Sequence, residues 1–268
     1  MKYYEDYWDP DREWPPKTGK VSTLEEALFS PYFRSNTLCL DYGCGTGGRY
    51  GIYLRDHGIQ YRGFDISAHA IAQAQAHGLT AELLTGEGKT SLPDGCCNFA
   101  VCFEVFEHLL EPHLALAEIA RVLSPKGVLL ASVPNAAYWF HRCEFLISGF
   151  LNPGGSPLTA RKKPWADPHI RFFSPKILRR FFLENGFKEV EIIPTPFSLA
   201  VLPYIYRTPW LRVLAGYISA PFGWLSRISP GLFASGLYAR ACLDPTVAGS
   251  HSKSLNGAEK SRFQHRNV

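Results

Sequence analysis

A glycine-rich run follows the first strongly apolar segment of this 268-residue chain. It extends from Leu38 to Gly48 with the sequence LCLDYGCGTGG, and helix-forming residues follow it. A strand, a tight glycine turn and a helix in this order let a ligand approach the backbone closely, because glycine has no side chain. The spacing of Gly43, Gly45 and Gly48 also satisfies the dinucleotide pattern G-x-G-x-x-G, which is weak evidence alone. The run predicts a cofactor site without choosing the cofactor.

Two carboxylates near this run help to identify the cofactor. Asp41 lies two residues before Gly43, where a dinucleotide would place its pyrophosphate, and like charges repel each other there. S-adenosylmethionine suits that carboxylate better, because it carries an ammonium and a sulfonium and no phosphate. Asp65 ends the next predicted strand, where a carboxylate can accept both hydrogens of a ribose diol. We therefore expect S-adenosylmethionine rather than a nicotinamide cofactor.

The glycine run resembles the first motif of the class I S-adenosylmethionine-dependent methyltransferases, and the resemblance covers residues 37–193. It implies that Asp65 binds the cofactor ribose. It also implies that Glu87 lies beside the adenine, where the family usually has aspartate. The implied cofactor-binding residues are Asp41, Gly43, Gly45, Gly47, Asp65, Ile66, Glu87 and Glu104.

A second group of residues could carry the acceptor chemistry. The run Glu104-x-x-Glu107-His108 follows the fourth predicted strand, and His169 lies farther along the chain. The group resembles the metal-binding set of the small-RNA terminal 2′-O-methyltransferases, and some ubiquinone-pathway O-methyltransferases look alike. The resemblance implies a divalent metal, Mg²⁺ or Mn²⁺, held by these four side chains and gripping two neighbouring hydroxyls. One alternative is a metal-free enzyme in which Glu104, His108 and His169 are catalytic residues and a histidine is the base. Another is that these side chains are only solvated surface groups without a function.

The elements that must position these residues follow an alternating pattern. Between Thr37 and Ile193, short apolar runs alternate with helical segments, which is typical of βαβ units. The pattern predicts a doubly wound, Rossmann-like, mostly parallel seven-stranded sheet with helices on both faces. The predicted strands are Leu38–Asp41, Tyr61–Asp65, Ala81–Leu84, Phe99–Phe103, Val128–Val133, Val190–Ile193 and Gly236–Leu243. The predicted helix starts are a capping box at Ser22–Glu25 and N-caps at Ser67 and Ser174.

Composition divides the chain into three parts. Residues 1–36 form an aromatic arm and a lead-in helix, and residues 246–268 are expected to be a disordered tail. The methyltransferase domain spans residues 37–245, with inserts near residues 135–170 and 195–235. We expect the arm to pack on the domain, either over the cofactor or along the edge of the core. Its aromatic residues are Tyr3, Tyr4, Tyr7, Trp8 and Trp14.

Charge and cysteine usage limit the partners. The 28 basic residues face 24 acidic ones, so the formal charge of +4 is too mild to predict a nucleic-acid partner. The seven cysteines form no C-x-x-C pair, which favours reduced thiols and a cytoplasmic protein. Val213–Ser226 contains Pro221 and is too short to cross a bilayer, so no membrane span is predicted.

The inserts indicate the class of acceptor. The first is rich in aromatic residues, and Tyr204–Phe233 combines spaced arginines with large apolar side chains. We therefore expect O-methylation of a hydroxyl on a small molecule, sugar or lipid-linked acceptor. Contact with the inner face of the membrane through residues 204–233 is also expected, although a lid over the active site explains that segment equally well. A metal-dependent RNA 2′-O-methyltransferase, a non-catalytic methyltransferase-like module and a nicotinamide-dependent oxidoreductase are the alternatives.

Overall fold

The computed structural model describes residues 6–8, 20–85, 88–149, 167–196, 217, 219, 221 and 223–246. Within these ranges, seven strands form one sheet in the order β3-β2-β1-β4-β5-β7-β6. The strands are β1 (Leu38–Tyr42), β2 (Gln60–Asp65), β3 (Ala81–Leu83), β4 (Cys97–Phe103), β5 (Leu123–Pro134), β6 (Phe187–Pro196) and β7 (Ala234–Leu243). All seven predicted strands are present, and most are longer than the sequence indicated.

The topology of the sheet creates a crevice. Strands β1 to β5 run parallel, whereas β7 lies antiparallel between β5 and β6. The strand order reverses at β1, which has β2 on one side and β4 on the other. Connections leave β1 and β4 in opposite directions at such a point, so a crevice opens at the carboxyl ends of the two strands. The predicted doubly wound, Rossmann-like sheet is confirmed.

Seven helices have defined bounds in the described ranges: α1 (Thr23–Phe29), α2 (Tyr50–Asp56), α3 (Ala68–Ala76), α4 (Pro112–Val122), α5 (Trp139–Ser148), α6 (Pro175–Glu184) and α7 (Pro230–Phe233). The predicted helix starts are confirmed at two serines. The Ser67 hydroxyl accepts a hydrogen bond from Ala70 N (3.2 Å), and the Ser174 hydroxyl accepts one from Ile177 N (3.3 Å). Each bond satisfies a backbone donor that the first helical turn leaves without a partner.

The central strands explain why their sequences are continuously apolar. Phe99, Ala100, Val101 and Cys102 of β4 are fully buried, because helices cover both faces of the parallel sheet. One apolar cluster lies on each face. Burying a side chain as large as phenylalanine contributes about 2 kcal/mol. The rigid sheet that results holds the carboxyl edge, where the polar residues lie.

A buried carboxylate joins α1 to the rest of the domain. Glu25 completes the predicted capping box with Ser22, and it also accepts hydrogen bonds from Arg49 Nη2 (2.7 Å), Tyr50 (2.7 Å) and Tyr238 (2.5 Å). Burial alone would raise the pKa of Glu25, but the hydrogen bonds from Tyr238, Ser22 and Tyr50 outweigh it and lower the pKa. Arg49 and Tyr50 begin the helix after the glycine turn, so Glu25 fixes where that helix starts.

Asn135 holds together the ends of the two predicted inserts. Its side chain is fully buried and donates hydrogen bonds to the carbonyl oxygens of Ala234 (2.7 Å) and Pro230 (3.0 Å). Its backbone forms a bridge with Phe173. Residues 150–166 and 197–216, together with the predicted tail from 247 onward, lie outside the described residues. The domain boundaries therefore stay predictions.

Two sequence predictions concern the membrane and the arm. None of the helices in the described part of the chain is both long enough and apolar enough to cross a bilayer. Of the predicted membrane-contact segment, only residues 217, 219, 221 and 223–233 are described. Tyr7 and Trp8 of the arm are described, whereas Tyr3, Tyr4 and Trp14 lie outside the described residues.

Candidate active site

The turn between β1 and α2 has a backbone conformation that requires glycine. Gly43 has a φ of +79°, and a Cβ atom there would lie 2.4 Å from Cγ2 of Val105. The N–H groups of Gly43 and Cys44 both donate to the carbonyl oxygen of Phe64 in β2 (2.7 and 3.0 Å), and Gly47 N donates to Cys44 O (3.0 Å). The predicted glycines therefore form a backbone cradle at the carboxyl edge of the sheet.

Asp65 lies at the end of β2, beside this cradle. Its Oδ2 accepts a hydrogen bond from Gly45 N (2.8 Å) and its Oδ1 accepts one from Ser67 N (3.0 Å). Ile66 follows directly and is 37% exposed. A fixed carboxylate next to an exposed apolar side chain suits a nucleoside, whose ribose offers hydroxyl donors and whose base offers an apolar face. These residues fit the adenosyl part of S-adenosylmethionine.

Asp41 lies deeper than its neighbours in the predicted cofactor set. Its side chain is 3% exposed, and its Oδ2 accepts a hydrogen bond from the hydroxyl of Tyr61 (2.7 Å). Burial raises the pKa of Asp41 to about 7; the Tyr61 hydrogen bond opposes this rise, and the charge of Asp65 adds to it. The carboxylate therefore links β1 to Tyr61 of β2. Its direct contact with the cofactor ammonium stays a prediction.

Glu104 follows β4 in a strained backbone conformation. Its φ is +55°, a left-handed value that costs a non-glycine residue about 1 kcal/mol. Two contacts with Ser132 of β5 hold it there: Glu104 N donates to Ser132 O (3.0 Å), and the Ser132 hydroxyl donates to Glu104 Oε1 (2.7 Å). Desolvation raises the pKa of the Glu104 carboxylate, and the hydrogen bond from Ser132 opposes this rise. Such strain is typical of functional sites.

Glu107 lies in the short 3₁₀ helix Phe106–His108 after β4 and is 1% exposed. Among the described residues, neither of its carboxylate oxygens has a hydrogen-bond partner. Oε1 lies 3.6 Å from Nε2 of His108. Burial, together with the charge of Glu104, raises the pKa of Glu107 to about 9. A buried carboxylate without partners is costly, so the group needs a proton or a cation.

The tertiary structure brings His108 and His169 together. The backbone N–H groups of Ile170 and Arg171 donate to the carbonyl oxygen of Glu107 (2.9 and 3.0 Å), which places the later segment against the 3₁₀ helix. The imidazole ring centroids of His108 and His169 are 4.6 Å apart. Burial and the nearby His169 lower the pKa of His108 to about 4, so His108 is neutral at pH 7.

Asp167 is a functional candidate to which sequence reasoning assigned no role. Its Oδ1 accepts hydrogen bonds from the backbone N of His169 (2.8 Å) and from the ring Nδ1 of His169 (2.8 Å). Nδ1 of His108 contacts the carbonyl oxygen of Pro168 (3.2 Å). A histidine whose Nδ1 is bonded in this way presents Nε2 to a proton or a metal ion. The sequence signal was only the closeness of Asp167 to His169.

These side chains form a candidate metal-binding group. Within the described ranges, one ligand atom from each of Glu107, His108 and His169 lies within 4.8 Å of the other two. The orphaned Glu107 carboxylate and the two imidazoles are a donor set that fits a divalent cation. Glu104 is not part of this group, so its role as a fourth ligand stays a prediction. Glu87, the predicted adenine contact, lies outside the described residues.

A family model described as a methyltransferase domain matches residues 21–192. Among curated proteins, the ubiquinone biosynthesis O-methyltransferase of Burkholderia pseudomallei is 27% identical over 197 residues, which are 69% of this chain and 79% of the relative. The 2-methyl-6-phytyl-1,4-hydroquinone methyltransferase of Synechocystis sp. is 25% identical over 201 residues, or 70% of this chain and 57% of that protein.

Solved structures have the same fold. A methyltransferase from Archaeoglobus fulgidus described as dependent on S-adenosylmethionine superposes with a TM-score of 0.53 at 20% identity, covering 82% of this chain and 92% of that one. A methyltransferase from Mesorhizobium loti superposes with a TM-score of 0.52 at 16% identity, covering 82% and 98% of the two chains. At these identities, the superpositions support the architecture of the sheet and its helices.

Proposed function

Since the chain belongs to the methyltransferase domain family and is an S-adenosylmethionine-dependent enzyme, we propose that it methylates a hydroxyl group on a small, apolar-tailed acceptor. The observation that carries this proposal is the group formed by Glu107, His108 and His169 at the carboxyl end of β4. A hydroxyl oxygen becomes a good nucleophile only when its proton is removed, and this group can promote that step. The names of the quinone-pathway relatives are consistent with such an acceptor.

The chain's own residues have two tasks in methyl transfer. The first is to hold the acceptor oxygen in line with the methyl carbon and sulfur, because geometry supplies much of the rate of such displacements. The second is to accept the proton. As the new oxygen–carbon bond forms, the carbon–sulfur bond breaks, and its electron pair returns to sulfur to give neutral S-adenosylhomocysteine. We assign the proton to the carboxylate of Glu104, because Nε2 of His169 belongs to the metal-binding group proposed below. Asp167 holds the His169 ring through its bond to Nδ1 (2.8 Å).

A divalent cation held by Glu107, His108 and His169 forms part of the proposal. When bound, such a cation acidifies a hydroxyl and holds two neighbouring oxygens. Support comes from the two carboxylate oxygens of Glu107 that lack partners among the described residues. Further support comes from the bonds that His108 and His169 make through Nδ1, because histidine ligands are usually held by such bonds. An acceptor with two adjacent hydroxyls would complete the coordination.

The apolar tail of the acceptor is proposed from exposed apolar residues in the two predicted inserts. Helix α5 begins five residues after β5 ends, and its side chains Phe145 (51%), Leu146 (85%) and Ile147 (86%) are exposed. Trp224 and Ile228, within the segment predicted to contact the membrane, are also exposed. Clustered exposed apolar residues are typical of surfaces that meet lipids or other apolar partners. We therefore propose peripheral membrane contact and a lipid-linked acceptor.

A matched pair of acceptors tests the proposed function. Purified protein would receive S-adenosylmethionine, Mg²⁺ or Mn²⁺, and a prenylated catechol or the same compound lacking one hydroxyl. We expect S-adenosylhomocysteine and a methyl ether from the catechol, at least ten times less from the monophenol, and loss of turnover with EDTA. Methylation of a nucleotide sugar alone, or equal turnover of the two phenols, would contradict the proposed acceptor. Unchanged turnover in EDTA would contradict the cation.

A further inference from the structure

The N-terminal segment Asp6–Trp8 contacts the glycine turn through an indole ring. Gly45 has a φ of +53°, and a Cβ atom there would lie 2.5 Å from Cζ2 and 2.6 Å from Cη2 of Trp8. The ring therefore occupies the space that the missing side chain leaves open. Tyr7 packs edge-on against Trp8, with the ring centroids 5.0 Å apart. The contact between Trp8 and Gly45 is possible only because residue 45 is glycine.

A hydrogen bond also holds this segment to α3, the helix that follows β2. Nε2 of Gln73 in α3 donates to the backbone carbonyl oxygen of Trp8 (2.7 Å). Helix α3 begins at Ala68, three residues after the ribose-binding candidate Asp65. Trp8 is half-buried between the turn and this helix. The segment is therefore attached both to the glycine turn and to α3, the helix that follows Asp65.

Trp8 is connected to the proposed cofactor site through Gly45 and Asp65, and not only to the edge of the core. Gly45, which the indole ring covers, is the residue whose N–H donates to Asp65 Oδ2 (2.8 Å). Any shift of Gly45 would move a hydrogen-bond donor of the carboxylate that we assign to the ribose. An aromatic ring that packs on this turn limits such a shift, because it adds a large contact area to a glycine with no side chain.

We propose that Trp8 is a positioning residue for the cofactor, acting as a strap that holds the Gly45 turn against Asp65 and slows cofactor release. This role requires only the cofactor of the family, S-adenosylmethionine, and is independent of the acceptor proposed above. A contact that stabilises the bound geometry acts mainly on the dissociation rate. Trp8 therefore lengthens the residence time of S-adenosylmethionine and of its product S-adenosylhomocysteine.

The test uses two pairs of variants of the full chain, with S-adenosylhomocysteine as the probe. Trp8→Ala removes the ring, and Trp8→Phe keeps an aromatic surface. Gln73→Glu places a carboxylate against the Trp8 carbonyl oxygen. Gln75→Glu is the matched control, because Gln75 lies on the same helix and makes a similar bond to the carbonyl oxygen of Ala81 (2.9 Å), away from the strap. Calorimetry gives the affinity, stopped-flow mixing gives the dissociation rate, and thermal unfolding checks the fold.

We expect Trp8→Ala to weaken S-adenosylhomocysteine binding about tenfold, mainly through faster dissociation, and Trp8→Phe to stay within threefold of the parent protein. Gln73→Glu should weaken binding threefold to fivefold, whereas Gln75→Glu should leave it unchanged. Unchanged or tighter binding by folded Trp8→Ala would overturn the proposal. Equal weakening by Gln73→Glu and Gln75→Glu would also overturn it, because the effect would then come from the helix and not from the strap.

Discussion

The two halves of the carboxyl edge differ in how completely their polar groups are paired. In the cofactor half, the glycine turn and Asp65 bond to each other, with Gly45 N and Ser67 N both donating to the carboxylate. In the acceptor half, Glu107 is buried and neither of its oxygens has a partner among the described residues. Buried polar groups are nearly always paired, so a buried carboxylate without a hydrogen-bond partner needs a proton or a cation.

The two halves differ in whether their polar groups are paired before a ligand binds. The cofactor half is complete without its ligand, because Gly45 N and Ser67 N already orient the Asp65 carboxylate that we assign to the ribose. The acceptor half is incomplete, since its carboxylate has a pKa raised to about 9 by burial and needs a proton or a cation. Loss of a group from the first half should therefore affect cofactor affinity. Loss of a group from the second should affect turnover and cation binding but not cofactor affinity.

The largest expected effect comes from the incomplete half. Glu107→Gln keeps the shape of the side chain but removes the charge that a cation requires. We expect turnover to fall about 1000-fold, because proton removal from the acceptor fails, while S-adenosylhomocysteine affinity stays within twofold. Mn²⁺ binding measured by calorimetry should be lost as well.

The control for this variant lies four residues away. Glu111 is exposed at the start of α4, so Glu111→Gln changes the same charge in the same segment and should leave turnover unchanged. Retention of Mn²⁺ binding by Glu107→Gln would show that the two halves do not differ in the way described. A large loss of S-adenosylhomocysteine affinity in Glu107→Gln would lead to the same conclusion.

A smaller effect is expected from the complete half. Asp65→Ala removes the carboxylate that we assign to the ribose, together with the bonds that it accepts from Gly45 N and Ser67 N. Hydrogen bonds to a charged group contribute about 1.5 to 3 kcal/mol each, so S-adenosylhomocysteine affinity should fall about 100-fold. Calorimetry measures this directly. Asp56→Ala is the control, because Asp56 is exposed at the end of α2 and pairs with Arg55. Unaltered affinity in Asp65→Ala would remove the cofactor assignment of this half.

The smallest expected effect concerns the one buried charge below the turn. In the unfolded chain, Asp41 ionises with a pKa of about 3.9, whereas burial raises its pKa in the folded protein to about 7. Its contribution to stability is therefore complete below pH 4 and is lost as the pH rises through 7. Asp41→Asn removes this loss.

We expect the free energy of unfolding of Asp41→Asn, relative to the parent protein without cofactor, to rise by about 2 kcal/mol between pH 5.5 and pH 8. Urea unfolding at the two pH values measures it, and subtracting the parent protein cancels the other titrating groups. Asp56→Asn, with an exposed carboxylate, should show no such rise. A difference that stays constant with pH would mean that Asp41 is already ionised in the folded protein.

Local patterns predicted most of the fold. The strands were predicted because each is short and apolar and lies between helical segments. Ser67 and Ser174 marked helix starts because a serine hydroxyl bonds to a donor only three residues away. The strand ends were placed less accurately: β5 begins at Leu123, not at Val128, because pairing with β4 extends it beyond its apolar run.

The site was predictable where its geometry is local. The glycine turn and Asp65 lie within 25 residues of each other at the ends of adjacent parallel strands, so the motif and the sheet together determined their contact. Glu25 shows the opposite case. The sequence predicted its role in the capping box, but only the fold revealed its bond to Tyr238, which is 213 residues away along the chain.

The sequence by itself determined the sheet, the glycine cradle and the carboxylate beside it, because periodicity, turn chemistry and strand ends are local properties of the chain. The tertiary structure decided the rest. The contact of His169 with His108 and the contact of Trp8 with Gly45 depend on how distant segments pack. A short sequence pattern cannot predict such contacts, because the free energy that holds distant segments together comes from packing of the whole core.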